Sequence, residues 1–149
     1  MQYIRKASLQ DVSRIAEIQV FNNRVNYLPI FNDESFSFGT VQVLPTIEML
    51  LSDLAFPDNT YVYDDGIIRG FLRIKGTEIK KLYVDTFFQN RGIGMKLLQF
   101  GIQYFEANTV WALEKNFGAI RFYQRGGFRL TGERRPEDGT TEYCVLLKR

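Results

Sequence analysis

Histidine is absent from the 149 residues, and with it go imidazole triads, histidine zinc sites and imidazole acid–base chemistry. Proton transfer in this chain must run through Glu, Asp, Lys, Tyr or water. The single cysteine, Cys144, has no partner for an intrachain disulfide and lies in an apolar run near the C-terminus, where it reads as a small buried hydrophobe. No run of lysine or arginine exceeds two residues, and 19 Lys and Arg against 17 Asp and Glu leave a formal charge of only +2. An extended nucleic-acid face is therefore not expected. No uninterrupted apolar stretch approaches the ~20 residues of a membrane span, and the N-terminus lacks the apolar core of a signal peptide. The expectation is a soluble, cytoplasmic protein with no membrane partner and no metal.

What is present is ordinary for a globular chain: 45% hydrophobic and 24% charged residues. One domain spanning 1–149 is the simplest reading, large enough to bury roughly two thirds of its unfolded surface. Gln2 to Lys6 reads as a first strand. Ser8 and Asp11 have the spacing of a helix-capping pair, and Val12, Ile15, Ala16, Ile18, Phe21 and Val25 recur at helical steps until Leu28-Pro29 ends or bends the helix. Residues 29–39, mixing aromatics with acids, predict a loop or short helices. Thr40 to Leu54 has helical spacing again, with Pro45 requiring a start or a break. Thr60–Tyr63 and Ile67–Lys75 are strands joined by Asp64-Asp65-Gly66, a hairpin signal.

The most informative stretch follows. Glu78 to Val84 is a strand in which Ile79 and Leu82 lie three apart, so placing both on one core requires a β-bulge near Lys80-Lys81, unless both faces of the strand are covered. It runs into Gln89-Asn90-Arg91-Gly92-Ile93-Gly94-Met95, where two glycines open an amphipathic helix to about Glu106. A helix start leaves unpaired N–H groups and partial positive charge, so a loop whose backbone comes close is an anion site. Two glycines alone equally suit a simple turn. Further on, Thr109 to Leu113 is a short strand whose Trp111 is expected in the core. Asn116 and Gly126-Gly127 box a helix of about two turns between an N-cap and a left-handed C-terminal cap. Phe128–Thr131 and Tyr143–Lys148 are the last strands. The acids and arginines of 132–142 between them read as solvated.

The strand followed by Gln-x-x-Gly-x-Gly (Gln89, Gly92, Gly94), together with Asn-x-x-Ala-x-x-Phe-Tyr-x-x-x-Gly-Phe from Asn116 to Phe128, resembles the GNAT superfamily of N-acetyltransferases. A third glycine for a dinucleotide fold and a Gly-Lys-Ser/Thr ending for a P-loop are both missing. The resemblance is good over 60–149, and Thr86 stands where many members have proline. It implies a single α/β (α+β) domain with a central, mixed but mostly antiparallel sheet of about six to seven strands and about four helices. It implies acetyl-CoA as acyl donor, bound by Leu82, Tyr83, Val84, Gln89, Asn90, Arg91, Gly92, Ile93, Gly94, Met95, Asn116 and Tyr123. The acceptor would be an amine on a small molecule or peptide, and a homodimer is left open. Tyr123 matches the general acid of the family, and Glu78 the general base of several members, although a water chain would serve instead. The alternative is a non-catalytic acyl-CoA-binding module on the same fold.

Overall fold

A computed structural model describes residues 1–149. Seven strands form one sheet: β1 (Ile4–Lys6), β2 (Thr60–Asp64), β3 (Ile68–Lys75), β4 (Glu78–Val84), β5 (Thr109–Leu113), β6 (Arg129–Pro136) and β7 (Tyr143–Lys148). Their order across it is β1-β2-β3-β4-β5-β7-β6. Every neighbouring pair is antiparallel except β4 and β5, which run parallel. Four α-helices cover the sheet: α1 (Val12–Phe31), α2 (Val43–Ser52), α3 (Ile93–Phe105) and α4 (Phe117–Arg125). The mixed, mostly antiparallel sheet and the helix count agree with the fold expected from the sequence.

Successive strand residues point to opposite faces, and the two cores divide accordingly. Leu72, Ile74, Ile79, Leu97, Leu98 and Val110 belong to a core beneath α3. Phe71, Val62, Ile15, Ile18 and Leu50 belong to a second core beneath α1 and α2. Ile79 is buried in the α3 core and Leu82 packs against it, so both occupy one face despite their spacing of three. The bulge inferred from that spacing is present: Arg73 pairs with Lys81 but Ile74 with Ile79, leaving Lys80 as the extra residue.

Element boundaries move in several places. β1 is shorter than Gln2–Lys6 because Tyr3 has a φ of 71°, outside extended geometry. The Asp11 carboxylate accepts the Ser8 N–H at 2.8 Å, but it caps one 3₁₀ turn before α1 proper begins. Pro29 lies inside α1, which ends at Phe31. So near the C-terminus, proline removes a single helical N–H donor, and Asn32 N–H closes onto Leu28 O at 2.8 Å. α2 is shorter than the 40–54 pattern, and Pro45 falls in its first turn, where a missing N–H costs nothing. β6 extends to Pro136, well into the segment read as a charged connection, by way of an irregularity between Leu130 and Arg134 that includes Gly132 at φ 86°. Its residues are all exposed, so no apolar alternation betrays it.

Candidate active site

The single parallel junction of the sheet is also its weakest. β4 and β5 pair only at Glu78 with Thr109 and Ile79 with Val110, and beyond those two pairs the strands separate around a cleft of about 950 Å³. Asp85 N–H donates to Arg69 O on the β3 side at 2.8 Å. Donor direction alternates along an antiparallel strand, so the N–H groups of Leu82 and Val84 point the other way, into the gap. Val84 O is already taken by Asn22 Nδ2 at 2.9 Å and Gln89 Nε2 at 3.1 Å.

At the wide end of the gap, no backbone N–H from Gln89 to Met95 donates to a protein acceptor. The first bond of α3 is Lys96 N–H to Gly92 O at 3.1 Å. Asn90 at φ 64° and Gly92 at φ 82° turn this run of donors around the start of the helix. The result is a concave array of amides at the positive end of a thirteen-residue helix, an anion cradle. Gln89 contributes its side chain to the scaffold, bonding Val84 O and, at 3.3 Å, Asn22 Oδ1. Gly94 has a packing reason as well: a Cβ there would lie 3.3 Å from the Phe122 ring, so α3 and α4 approach closely because it is glycine. Each candidate from the sequence lines the cleft except Arg91, whose guanidinium lies 5.4 Å from the Phe88 ring centroid and which offers the cradle its backbone. Arg121 and Arg125 of α4 also line the cleft. Sequence reasoning passed over them because arginines on a short helix look like a solvated face.

On the α3 side of the sheet, the Asn116 carboxamide accepts the Ala119 N–H at 3.2 Å and caps α4 as expected. Gly127, not Gly126, takes the left-handed conformation, at φ 92°. α4 carries Tyr123 into the α3 core, where its ring meets Phe122 and Phe128 edge-on and only 7% of the residue is exposed. No protein group bonds its hydroxyl, although the residue lines the cleft. Burial raises its pKa well above the ordinary phenol value, so the hydroxyl keeps its proton at neutral pH.

The opposite face of the gap is made by other residues. Lys81 and Tyr83 of β4 point away from the α3 core, toward α1, where Tyr83 Oη donates to Asn23 Oδ1 at 3.1 Å and lies 3.2 Å from Tyr27 Oη. Glu78 stands at the closed end, its carboxylate 3.0 Å from Lys80 Nζ. Trp111 is half-buried in the cleft wall under the Arg135 guanidinium, 4.1 Å from the ring centroid, and not in the core as its apolar strand suggested. Glu137, expected in solvent, turns into the cleft and accepts the Cys144 thiol at 2.8 Å. Burial and that carboxylate push the thiol up to about 12, leaving it protonated and non-nucleophilic. Lys81, Arg135 and Glu137 carried no sequence signal, because their convergence depends on the length of β6.

A split parallel junction, an amide cradle beside it and a buried phenol across the gap define a class of α/β proteins suited to threading an anionic, elongated ligand through the sheet. Residues 57–130, about half of the chain, match the family model described as acetyltransferase (GNAT) domain. The chain belongs to the GNAT superfamily. Among curated proteins it is similar to the peptidyl-lysine N-acetyltransferase YjaB of Salmonella typhimurium, 29% identical over 77 residues that cover 52% of this chain and 53% of YjaB. The same protein of Escherichia coli is 27% identical over 77 residues, 52% of each chain. The chain thus spans about half the length of the curated relatives it matches. Over nearly its whole length it shares a fold with the solution structure of apo YjaB from Escherichia coli, at a TM-score of 0.79 and 18% identity, covering 97% of this chain and 95% of that one. It likewise shares a fold with a PaiA N-acetyltransferase from Thermoplasma acidophilum in complex with coenzyme A, at a TM-score of 0.74 and 20% identity, covering 98% of each.

Proposed function

We propose that the chain is an acetyl-CoA-dependent N-acetyltransferase. The observation that carries this reading is the coincidence of two unsatisfied backbone surfaces: the free N–H run Gln89–Met95 opens directly onto the gap whose β4 edge is also unpaired. Each would be costly to leave without a partner away from water, and one ligand with a diphosphate and a peptide-like arm would satisfy both. The relatives' names and the coenzyme A held by the Thermoplasma protein point the same way. The cradle takes the diphosphate, with Arg121 and Arg125 on its flank. Leu82 and Val84 N–H groups meet the arm and the thioester carbonyl, and Asn116 borders the arm while capping α4.

The amine then attacks the thioester carbon directly. An alkylammonium has an ordinary pKa near ~10 and must first lose a proton, for which Glu78, on the same face of β4 as Lys81, is the base. The N–C bond forms, and the negative charge that gathers on the carbonyl oxygen is held by a β4 N–H. As the tetrahedral intermediate collapses, the C–S bond breaks, the thiolate takes the Tyr123 proton from the other side of the gap, and the extra proton left on the new amide nitrogen passes through water to restore the Tyr123 phenol. No helix of the chain is long and apolar enough to cross a membrane, and a cytoplasmic setting belongs to this reading. Calorimetric titration with coenzyme A, followed by thiol release from acetyl-CoA in the presence of polyamines, amino acids, aminoglycosides and peptides, tests it. Coenzyme binding with no thiol release from any amine would leave a binding module, and no coenzyme binding would remove the reading altogether.

A further inference from the structure

The acceptor side of the gap carries a charge pattern of its own. Lys81 from β4, Arg135 from β6 and Glu137 just beyond β6 converge around Cys144, which pairs with Arg135 across the β6–β7 ladder. All three line the cleft. Neither Lys81 nor Arg135 forms an ion pair or a side-chain hydrogen bond, whereas Glu78 and Lys80 neutralise each other at 3.0 Å and Arg73, across the ladder from Lys81, pairs with Asp53. The Arg135 guanidinium carbon lies 4.1 Å from the Trp111 ring centroid, a cation–π contact that keeps the group at the cleft wall while its N–H donors have no protein acceptor. Glu137 receives the Cys144 thiol on one oxygen and meets no cation within bonding distance. Burial lowers the pKa of Lys81 even though the Glu137 carboxylate pulls it the other way, as for a cation drawn out of water with no partner in bonding contact.

We propose that the acceptor is an amino-acid-like zwitterion, whose carboxylate is bound by Lys81 and Arg135 and whose ammonium is held by Glu137 at the edge of the gap between β4 and β5 until Glu78 takes its proton. This deepens the acetyltransferase reading and rests on it. Two unpaired cations beside one unpaired acid complement one carboxylate beside one ammonium. They oppose a polyamine or a lysine on a basic peptide, which would bring more positive charge to Lys81 and Arg135. The planar guanidinium, its N–H donors unpaired, also suits a carboxylate, which it engages through two parallel N–H bonds.

Calorimetry on the protein saturated with coenzyme A separates the two readings, because coenzyme affinity is measured first in the same samples. Alanine, glutamate and lysine are then each titrated against their C-terminal amides, with putrescine as a carboxylate-free amine. The free acids should bind about tenfold or more tighter than the amides, and putrescine weaker still. Lys81→Met should bring acid and amide to within about twofold of each other without altering coenzyme affinity, and Lys81→Arg should retain most of the preference. Coenzyme binding with equal affinity for acid and amide, tighter binding of putrescine, or no binding of any of these amines would overturn the zwitterion proposal while leaving the acetyltransferase reading in place. Failure to bind coenzyme A would instead sink the reading beneath it.

Discussion

Tyr123 is the residue at which packing and chemistry can be separated by one atom. Its ring is wedged against Phe122 and Phe128, and its hydroxyl has no protein partner. Tyr123→Phe should therefore leave the melting temperature almost unchanged and lower kcat by ~10²–10⁴-fold, with little effect on coenzyme affinity. Loss of stability with turnover intact would assign the hydroxyl to the fold. Glu78→Gln should reduce turnover at neutral pH and recover part of it as pH rises, because the free amine then forms unaided. A pH–rate profile overlaying that of the parent protein removes Glu78 as base in favour of water. For the cradle, Gly94→Asp is a poor probe, since its Cβ would press on Phe122. Asn90 already has φ 64°, a conformation Asp tolerates as well as Asn, so Asn90→Asp adds charge without backbone strain. Coenzyme affinity should fall roughly tenfold, about 1.4 kcal/mol, with circular dichroism unchanged.

Among the elements, β4 was the most legible and β6 the least, for one physical reason. β4 borders two cores, and the spacing of Ile79 and Leu82 encodes the bulge that Lys80 forms. β6 is an edge strand exposed along its length, so its residues answer to solvent and leave no periodic trace. What β6 positions, namely Arg135 and Glu137, was unreadable for the same reason. The cradle and Tyr123 were legible because motif spacing in a loop and a short helix is local, whereas the acceptor face is assembled from four separate segments. β3 holds its own test of this element. A Cβ on Gly70 would lie 2.8 Å from Tyr83 O, a backbone atom of β4 that cannot swing aside. Gly70→Ala should cost about 1–3 kcal/mol in denaturant unfolding and weaken coenzyme binding as β4 is pushed toward the gap. An alanine variant as stable as the parent would mean that the two strands slide more freely than their register implies.

For the whole molecule, the absence of histidine shapes the response to pH. Asp11 is held below the ordinary carboxylate range, first by its hydrogen bond from Arg5 and then by the Ser8 N–H. Asp53 is also lowered, by the Ala55 N–H and by Arg73. For such groups the unfolded chain binds protons more readily, so the stability they supply is fully present above the unfolded value near ~4 and is lost as pH falls through the lower, folded values. Melting temperature should stay level from about pH 5 to 7 and decline below about 4. A pronounced step between pH 5 and 7 would point to a titrating group other than these carboxylates.

The two-pair junction between β4 and β5 has a further consequence, in hydrogen exchange. It divides the backbone ladder into a block of β1 to β4 and a block of β5, β7 and β6, joined by Glu78–Thr109 and Ile79–Val110, by the Asn108 and Thr109 N–H groups donating to Thr77 O, and by the core they share beneath α3. Without a ligand the second block is held to the first by its share of the α3 core and little backbone bonding, so its amides should exchange faster than those of β2 and β3. An acyl donor lodged along the unpaired edge of β4 would take the place of the missing ladder. Slow exchange would then spread into β5 and β7, strands that share no backbone bond with the cradle, and the two blocks would open as one.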